Sequence, residues 1–474
     1  MGLTETLAER FDVDENGSDV RTEFVAGLTT FLAMSYIIVV NPAILADAIL
    51  WDHEAGAPAE QTTIDGVVYT WPEVFQMLAI VTILAAVAGT LVMALYAKRP
   101  FGLAPGMGLN AFFTFSVVAA LGVPWQTALA AVFVEGILFV LLTAVGARRY
   151  VIELFPEPVK FAVGAGIGVF LLFLGLQELQ IAVAYDATLV QLGDIASSPV
   201  ALLGLLGLGI TLVLYARGVT GSIVIGILTT TLLAWGLTFA GLFDRGTVTP
   251  AELAEPQYDI TPLAGAFVDG LREVDPLVFT LVVFTFFFVD FFDTAGTLIG
   301  VSQFAGFLDE DGDLPEMDKP LMADAVGTTV GAALGTSTVT TYIESATGIE
   351  EGGRTGLTAL VVAALFLVSL VVIPLVTAVP SFAAYIALIV VGLLMLQGVV
   401  DIEWDHPAWL IAGGLTITVM PLTASIANGL AAGLIAYPVV KTAMGEGSDV
   451  HPGQWGIALA FVAYFYVTTS GVFF

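Results

Sequence analysis

Residues 276–304 read PLVFTLVVFTFFFVDFFDTAGTLIGVSQF. A run this apolar is long enough to cross a bilayer, which takes about 20 apolar residues. Yet Asp290 and Asp293 stand in its middle, three positions apart, with no Lys, Arg or His near them in sequence. The chain thus places two carboxyl groups where a charge is costliest, and ionisable residues inside a span are rare and mark functional sites.

The rest of the chain is of the same kind. Of 474 residues, 58% are hydrophobic and only 12% charged, and the mean hydropathy is +0.95. Apolar runs of spanning length recur from end to end, and the strict ten-residue alternation of a membrane β-barrel is absent. The fold class is therefore all-α and polytopic. The N-terminus, MGLTETLAERFDVDENGSDVRTE, is polar and acidic and lacks the features of a signal peptide. With no cysteine, disulfides and cysteine-held metals are excluded. The net charge of −30 does not suit nucleic acid. Its acids gather in loops such as FLDEDGDLPEMDKP, an acidic coat that reads as adaptation to concentrated salt. That loop matches a calcium-binding hand only loosely, so no metal and no organic cofactor is expected.

Fourteen segments are expected: 24–47, 73–97, 108–121, 124–145, 156–177, 200–216, 221–242, 276–304, 320–334, 338–352, 357–378, 381–400, 407–421 and 423–440. A further apolar stretch, 454–473, either spans or lies at the interface. With the N-terminus cytoplasmic, Arg10, Arg21, Lys98, Arg99, Arg148, Arg149, Lys160, Arg217, Lys319, Arg354 and Lys441 fall inside, while Arg245 and Arg272 fall outside. That distribution follows the positive-inside rule.

Segments three (PGMGLNAFFTFSVVAAL) and ten (GTSTVTTYIESATGIEEGG) are short, polar and glycine-interrupted, and hold the same place in each group of seven. Such a pair points to a transporter site. GSIVIGILTTTLLAWGL at 221 also aligns loosely with ASIANGLAAGLIAYPVV at 424. Seven is odd, so a second copy enters the membrane from the opposite face, and the repeat is inverted. TSTVTTY is β-branched and hydroxyl-rich, which favours extended backbone. Extended backbone at membrane depth must be buried in protein or line a cavity. Two such strands can pair with each other, leaving two half-helices whose N-terminal amides face a central pocket.

The intramembrane acids are Glu135, Asp290, Asp293, Asp324 and Glu344. Asp290 and Asp293 lie about 300° apart around a helix and so share a face; in low dielectric both cannot easily ionise, so one should be protonatable. The three histidines, His53, His406 and His451, fall in loops, which leaves a carboxyl group to carry any proton within the membrane. Plainer roles compete: Glu344 and Asn110 as helix caps, Asp324 as a bond to backbone near a helix end, and Glu135 as a structural or lipid-adjacent acid without polar company. The phenylalanines of FTFFFVDFF read as packing. Acids and amides without a basic partner suit a cation or a neutral ligand rich in N–H donors, such as a planar base.

At GMGLNAFFTFSVV, FVDFFDTAGTLIGV and GTSTVTTYIESATGIEEGGRTGLTAL the sequence resembles the nucleobase–cation symporter-2 superfamily, in particular its AzgA-type adenine, guanine and hypoxanthine permeases. The likeness runs from TEFVAGLTTFLAMSYIIVVNPAIL to SIANGLAAGLIAYPVVK, nearly the whole chain. It implies two inverted repeats of seven segments. A core domain would comprise 24–145 and 276–378, and a gate domain 156–242 and 381–440, flanked by an acidic N-terminus (1–23) and a tail (441–474). It further implies a homodimer in the cell membrane that imports a purine nucleobase by an elevator-like shift, with H⁺ as coupling ion and Na⁺ an open alternative. Asp290 and Glu344 would bind the substrate, with Gly108, Asn110, Thr341 and Ser345 shaping the pocket, and Asp290 or Asp293 would carry the proton. Thr294 stands where some uracil carriers have a histidine, which puts histidine-based coupling in doubt. Competing readings are a uracil or xanthine carrier, a sulfate or bicarbonate carrier on the same fold, an ion channel, and an intramembrane aspartyl protease. The anion carrier lacks a basic pocket residue, and the protease needs its two acids on different helices.

Overall fold

The opening stretch forms one helix, Pro276–Ala305, and its ends show why. The Asp275 side chain accepts from the amides of Leu277 and Val278, both at 2.9 Å, and Pro276 follows in the first turn, where its missing N–H is harmless. Gly306 ends the helix in the left-handed region, with φ +67°. This computed structural model describes residues 2–146, 154–272, 274–309 and 314–469. Arg148 and Arg149 of the orientation argument, residues 310–313 of the acidic loop and the end of the 454–473 stretch lie outside that set.

Leaving aside single-turn pieces, the helices are α1 (Leu3–Arg10), α2 (Val20–Met34), α3 (Ile37–Ile49), α4 (Trp71–Val92), α5 (Met107–Ala111), α6 (Trp125–Ala144), α7 (Glu157–Glu178), α8 (Pro199–Ala216), α9 (Ser222–Phe239) and α10 (Pro276–Ala305). They continue with α11 (Asp318–Leu334), α12 (Ser345–Glu350), α13 (Gly356–Ser369), α14 (Ser381–Met395), α15 (Pro407–Leu422), α16 (Ile426–Ala443) and α17 (Pro452–Thr469). Two inner strands, β1 (Leu103–Pro105) and β2 (Val339–Thr341), precede α5 and α12. Short hairpins decorate the connections, as at 61–70 and 182–192. Among the described residues, ten helical runs are long and apolar enough to cross a membrane, and Met107–Ala120 and Pro407–Leu422 are shorter apolar helices. Expected segments nine and ten correspond to α11 and the β2–α12 unit.

One expected segment differs in detail. The first is not one helix but α2 and α3, separated at Ser35–Tyr36, where tight bonds run from Ile38 N–H to Ser35 and from Val39 N–H to Tyr36. The tenth is a strand followed by a six-residue helix, as its β-branched, hydroxyl-rich sequence leads one to expect.

The inner strands pair antiparallel, with Leu103 opposite Thr341 and Pro105 opposite Val339. Their outer edges are closed by threonine hydroxyls in the same way on both sides. Thr90 on α4 accepts from Leu103 N–H at 2.9 Å and donates to its carbonyl at 3.0 Å. Thr328 on α11 accepts from Val339 N–H at 3.2 Å and donates to its carbonyl at 2.9 Å. Exposed strand edges are not tolerated at membrane depth, so these hydroxyls stand in for a third and fourth strand. The preceding residues, Gly89 and Gly327, let the helices reach the strands. A Cβ on Gly327 would lie 3.0 Å from Val339 Cγ1 and 3.2 Å from Gly89 Cα.

The sequence match at 221 and 424 has its own counterpart. Gly221 and Ala424 both adopt left-handed backbone, with φ +71° and +48°, immediately before Ser222 and Ser425 at the starts of α9 and α16. Antiparallel strands, matched threonine clamps and matched turns are what an inverted repeat requires.

Helix α11 lies between α4 and α6, α13 packs on α2 and α4, and α10 packs on α6. Separately, α7 packs on α14 and α15, α15 on α16, and α8 and α9 on α14. Helix α17 lies against α16. At the end of the bundle holding the N-terminus, Lys98 pairs with Asp12 at 2.6 Å, and Glu23 accepts from the amides of Arg354, Thr355 and Thr358. These contacts bring Lys98 and Arg354 to the same end as the N-terminus.

Candidate functional site

Where the two strands meet the starts of α5 and α12 there is a cavity of about 100 Å³. Its walls are Tyr36, Gly106–Gly108, Asp293, Thr297, Thr340–Glu344, Val391 and Met395. The paired half-helices of segments three and ten, the opening helix, the break in segment one and one helix of the other group thus converge on one point. None of these walls carries a Lys, Arg or His.

Glu344 lies on the cavity wall and its Oε1 accepts from the Tyr36 hydroxyl at 2.5 Å. It occupies the N-cap position of α12, but its side chain makes no cap bond, so the capping role considered for it is not the one it plays. Asp293 is the second cavity acid. Asp290, expected as the substrate contact, is fully buried and is not among the lining residues. Sharing a helix face to within about 60° did not decide which acid turns inward; the cavity lies on Asp293's side, and Asp290 points toward α6.

Behind the cavity the polar groups form a chain. Thr294 Oγ1 donates to Asp290 Oδ1 at 3.3 Å and lies 2.8 Å from Thr340 Oγ1. Thr341 donates to Asp324 from both its hydroxyl, at 2.8 Å, and its amide, at 3.1 Å. Asp324 therefore does bond backbone, but that of strand β2 rather than of a helix end. Glu135 is not lipid-adjacent and not without polar company: it is fully buried, and its carboxyl group meets that of Asp290.

Gly108 lines the cavity, and a Cβ there would lie 2.6 Å from Ile167 Cγ2 on α7. Asn110 lies outside the lining and is no cap. It donates to Asn41 Oδ1 at 3.0 Å, and Asn41 in turn bonds Thr82 and Thr336 at 2.7 and 2.9 Å. Ser345 also faces away, its hydroxyl accepting from Gly102 N–H at 3.0 Å. Of the expected set, then, Glu344, Gly108, Thr341 and Asp293 share the cavity, while Asn110, Ser345 and Asp290 brace it from behind. Tyr36 and Asn41 were missed. Their signal lay in TFLAMSYIIVVNPAIL, where a tyrosine and an asparagine interrupt an apolar run.

Fold and site define a multi-pass membrane transporter, not an enzyme. A permease-family model (Xan_ur_permease) matches residues 21–432, and the chain belongs to that family. It is 40% identical to the guanine/hypoxanthine permease PbuO of Bacillus subtilis, over 96% of this chain and 99% of the relative. It is 38% identical to the adenine permease AdeP of Escherichia coli, over 96% and 95% of the two chains. Among solved structures, the transmembrane domain of the cyanobacterial bicarbonate transporter BicA superposes with a TM-score of 0.57 at 17% identity, covering 88% of this chain and 97% of that one. This last likeness concerns the fold alone.

Proposed function

We propose that the protein imports purine nucleobases into the cell in symport with protons. The observation that carries this reading is the cavity wall, where two acids, Asp293 and Glu344, stand with threonine hydroxyls, Tyr36 and half-helix amides and without any cationic side chain. A carboxylate accepts two adjacent N–H groups of a planar base, while hydroxyls and amides answer its ring nitrogens and carbonyl. An anion would meet the repulsion of those carboxylates with no cationic side chain to offset it. Full-length similarity to relatives named as guanine/hypoxanthine and adenine permeases supports the same substrate class.

The cavity lies between the two packing groups of helices: Val391 and Met395 come from α14 and the other walls from the strand-bearing group. In this proposal the strand-bearing group, 24–145 with 276–378, is the moving core. The other, 156–242 with 381–440, is the gate through which two copies associate, and the N-terminus is cytoplasmic. A shift of core against gate would carry the site from one face to the other.

The test is uptake of radiolabelled adenine, guanine, hypoxanthine and uracil into proteoliposomes, with the proton and sodium gradients set separately and sulfate as competitor. Saturable purine accumulation driven by the proton gradient is expected, with uptake abolished in Asp293→Ala and Glu344→Ala. Transport of sulfate in place of any purine, or wild-type uptake by both variants, would overturn the assignment.

A further inference from the structure

Where α6 packs on α10, the carboxyl groups of Glu135 and Asp290 face each other. Both residues are fully buried, on α6 and α10. Around them Phe139 packs edge-on against Phe287, with ring centres 5.9 Å apart, and tilted against Phe291, at 5.7 Å. Among the described residues no donor reaches either Glu135 oxygen or Asp290 Oδ2, and Asp290 Oδ1 receives only the Thr294 hydroxyl. The charged groups that face Asp290 are Glu135 itself, Asp324 on α11 and Asp293 one turn along α10, all acids.

Two carboxylates cannot hydrogen-bond, because each offers only acceptors; contact between them requires one proton. Nor do two like charges persist side by side in an apolar site. We infer that Glu135 and Asp290 form an acid–carboxylate pair holding one shared proton, a proton-binding site separate from the substrate cavity. The pair remains in register with that cavity. Asp290 bonds Thr294, and Thr294 meets Thr340, whose strand forms the cavity wall. A change in the pair's proton content therefore alters which oxygen of Asp290 accepts from Thr294, and through it the hydroxyl presented by β2. Division of labour follows: Asp293 and Glu344 hold the ligand, and Glu135 with Asp290 holds the coupling ion. That last step rests on the symport reading above.

Two measurements separate the inference from that reading. The first needs no substrate. Infrared difference spectroscopy of purified wild type and Glu135→Gln at neutral pH should show a carboxylic-acid carbonyl band that the variant loses, and Asp290→Asn should lose it too. A band unchanged in both variants overturns the shared proton whatever the protein transports. The second uses proteoliposomes. Glu135→Gln should keep substrate counterflow at a KM within about twofold of wild type while losing accumulation above the level reached without a proton gradient. Gradient-driven accumulation equal to wild type in Glu135→Gln overturns the coupling role, as does wild-type accumulation driven by sodium alone. Absence of any nucleobase uptake by wild type overturns the symport reading and leaves the infrared result standing.

Discussion

The hydroxyl of Tyr36 stands 2.5 Å from the Glu344 carboxylate, joining the break in the first segment to the start of the half-helix of the tenth. Both residues line the cavity. In the proposed role Glu344 offers its oxygens to the ligand, and one short bond from a residue more than 300 positions away holds it.

Tyr36→Phe should therefore weaken ligand binding without unfolding the protein. A hydrogen bond to a charged group contributes about 1.5–3 kcal/mol, so the KM for uptake should rise about tenfold or more while the amount of protein in the membrane is unchanged. An unaltered KM would show that Glu344 is oriented by something else.

The threonine clamps give a paired prediction. Thr90→Val and Thr328→Val each leave one buried N–H and one carbonyl of a strand edge without a partner, at about 1–3 kcal/mol for each unsatisfied group. Both variants should lower the thermal unfolding temperature in detergent, by similar amounts because the two clamps are alike. Serine at either position should restore much of the loss, since it keeps the hydroxyl. Unequal losses would show that the repeats are not equivalent in stability, and no loss would show that the clamps do not hold the strands.

These clamps also mark where sequence reading reached its limit. The hydroxyl-rich TSTVTTY announced a strand because β-branched residues resist helix, and the need to bury that strand implied a partner in segment three. The strands' other edges are closed by Thr90 and Thr328, which sit in ordinary-looking helical runs and declare nothing locally. Glu135 misled for the same reason. Its sequence neighbours in AVFVEGILFV are all apolar, and its partner is Asp290, more than 150 positions away. With Asp290 and Asp293 the helix period placed both acids on one face, but only the position of the cavity separates the one that lines it from the one behind. Local propensity and periodicity were legible; contacts across the repeat were not.

Gly108 makes a steric prediction. Its Cβ position lies 2.6 Å from Ile167 Cγ2, closer than two carbons approach, and the contact joins the third segment to α7. Gly108→Ala should push the half-helix away from α7 and reduce uptake, while Ile167→Ala alone should act mildly. The double variant should recover part of the lost uptake, because removing the isoleucine branch makes room for the added methyl. If the double variant is as impaired as Gly108→Ala alone, the glycine serves the ligand directly rather than the helix contact.

The last prediction concerns motion. Asp47, at the end of α3, accepts from the Tyr385 hydroxyl of α14 at 2.8 Å and from Trp71 Nε1 at 3.4 Å. The Tyr385 hydroxyl also lies 3.2 Å from the Ala43 carbonyl. This tie runs from one packing group of helices to the other, so a relative shift of the two must break it. Tyr385→Phe then removes a bond present in one state and absent in the other. A bond to a charged group of about 1.5–3 kcal/mol corresponds to roughly a tenfold or larger change in the balance of states, since about 1.4 kcal/mol is tenfold. The chain contains no cysteine, so a single cysteine at Ile343, on the cavity wall, can be added without removing others. Its labelling by a membrane-impermeant thiol reagent should change severalfold on each face of the membrane in the Tyr385→Phe background, rising on one face and falling on the other. Equal labelling in both backgrounds would mean that the Asp47–Tyr385 tie persists through the transport cycle and that the two groups of helices do not move apart there.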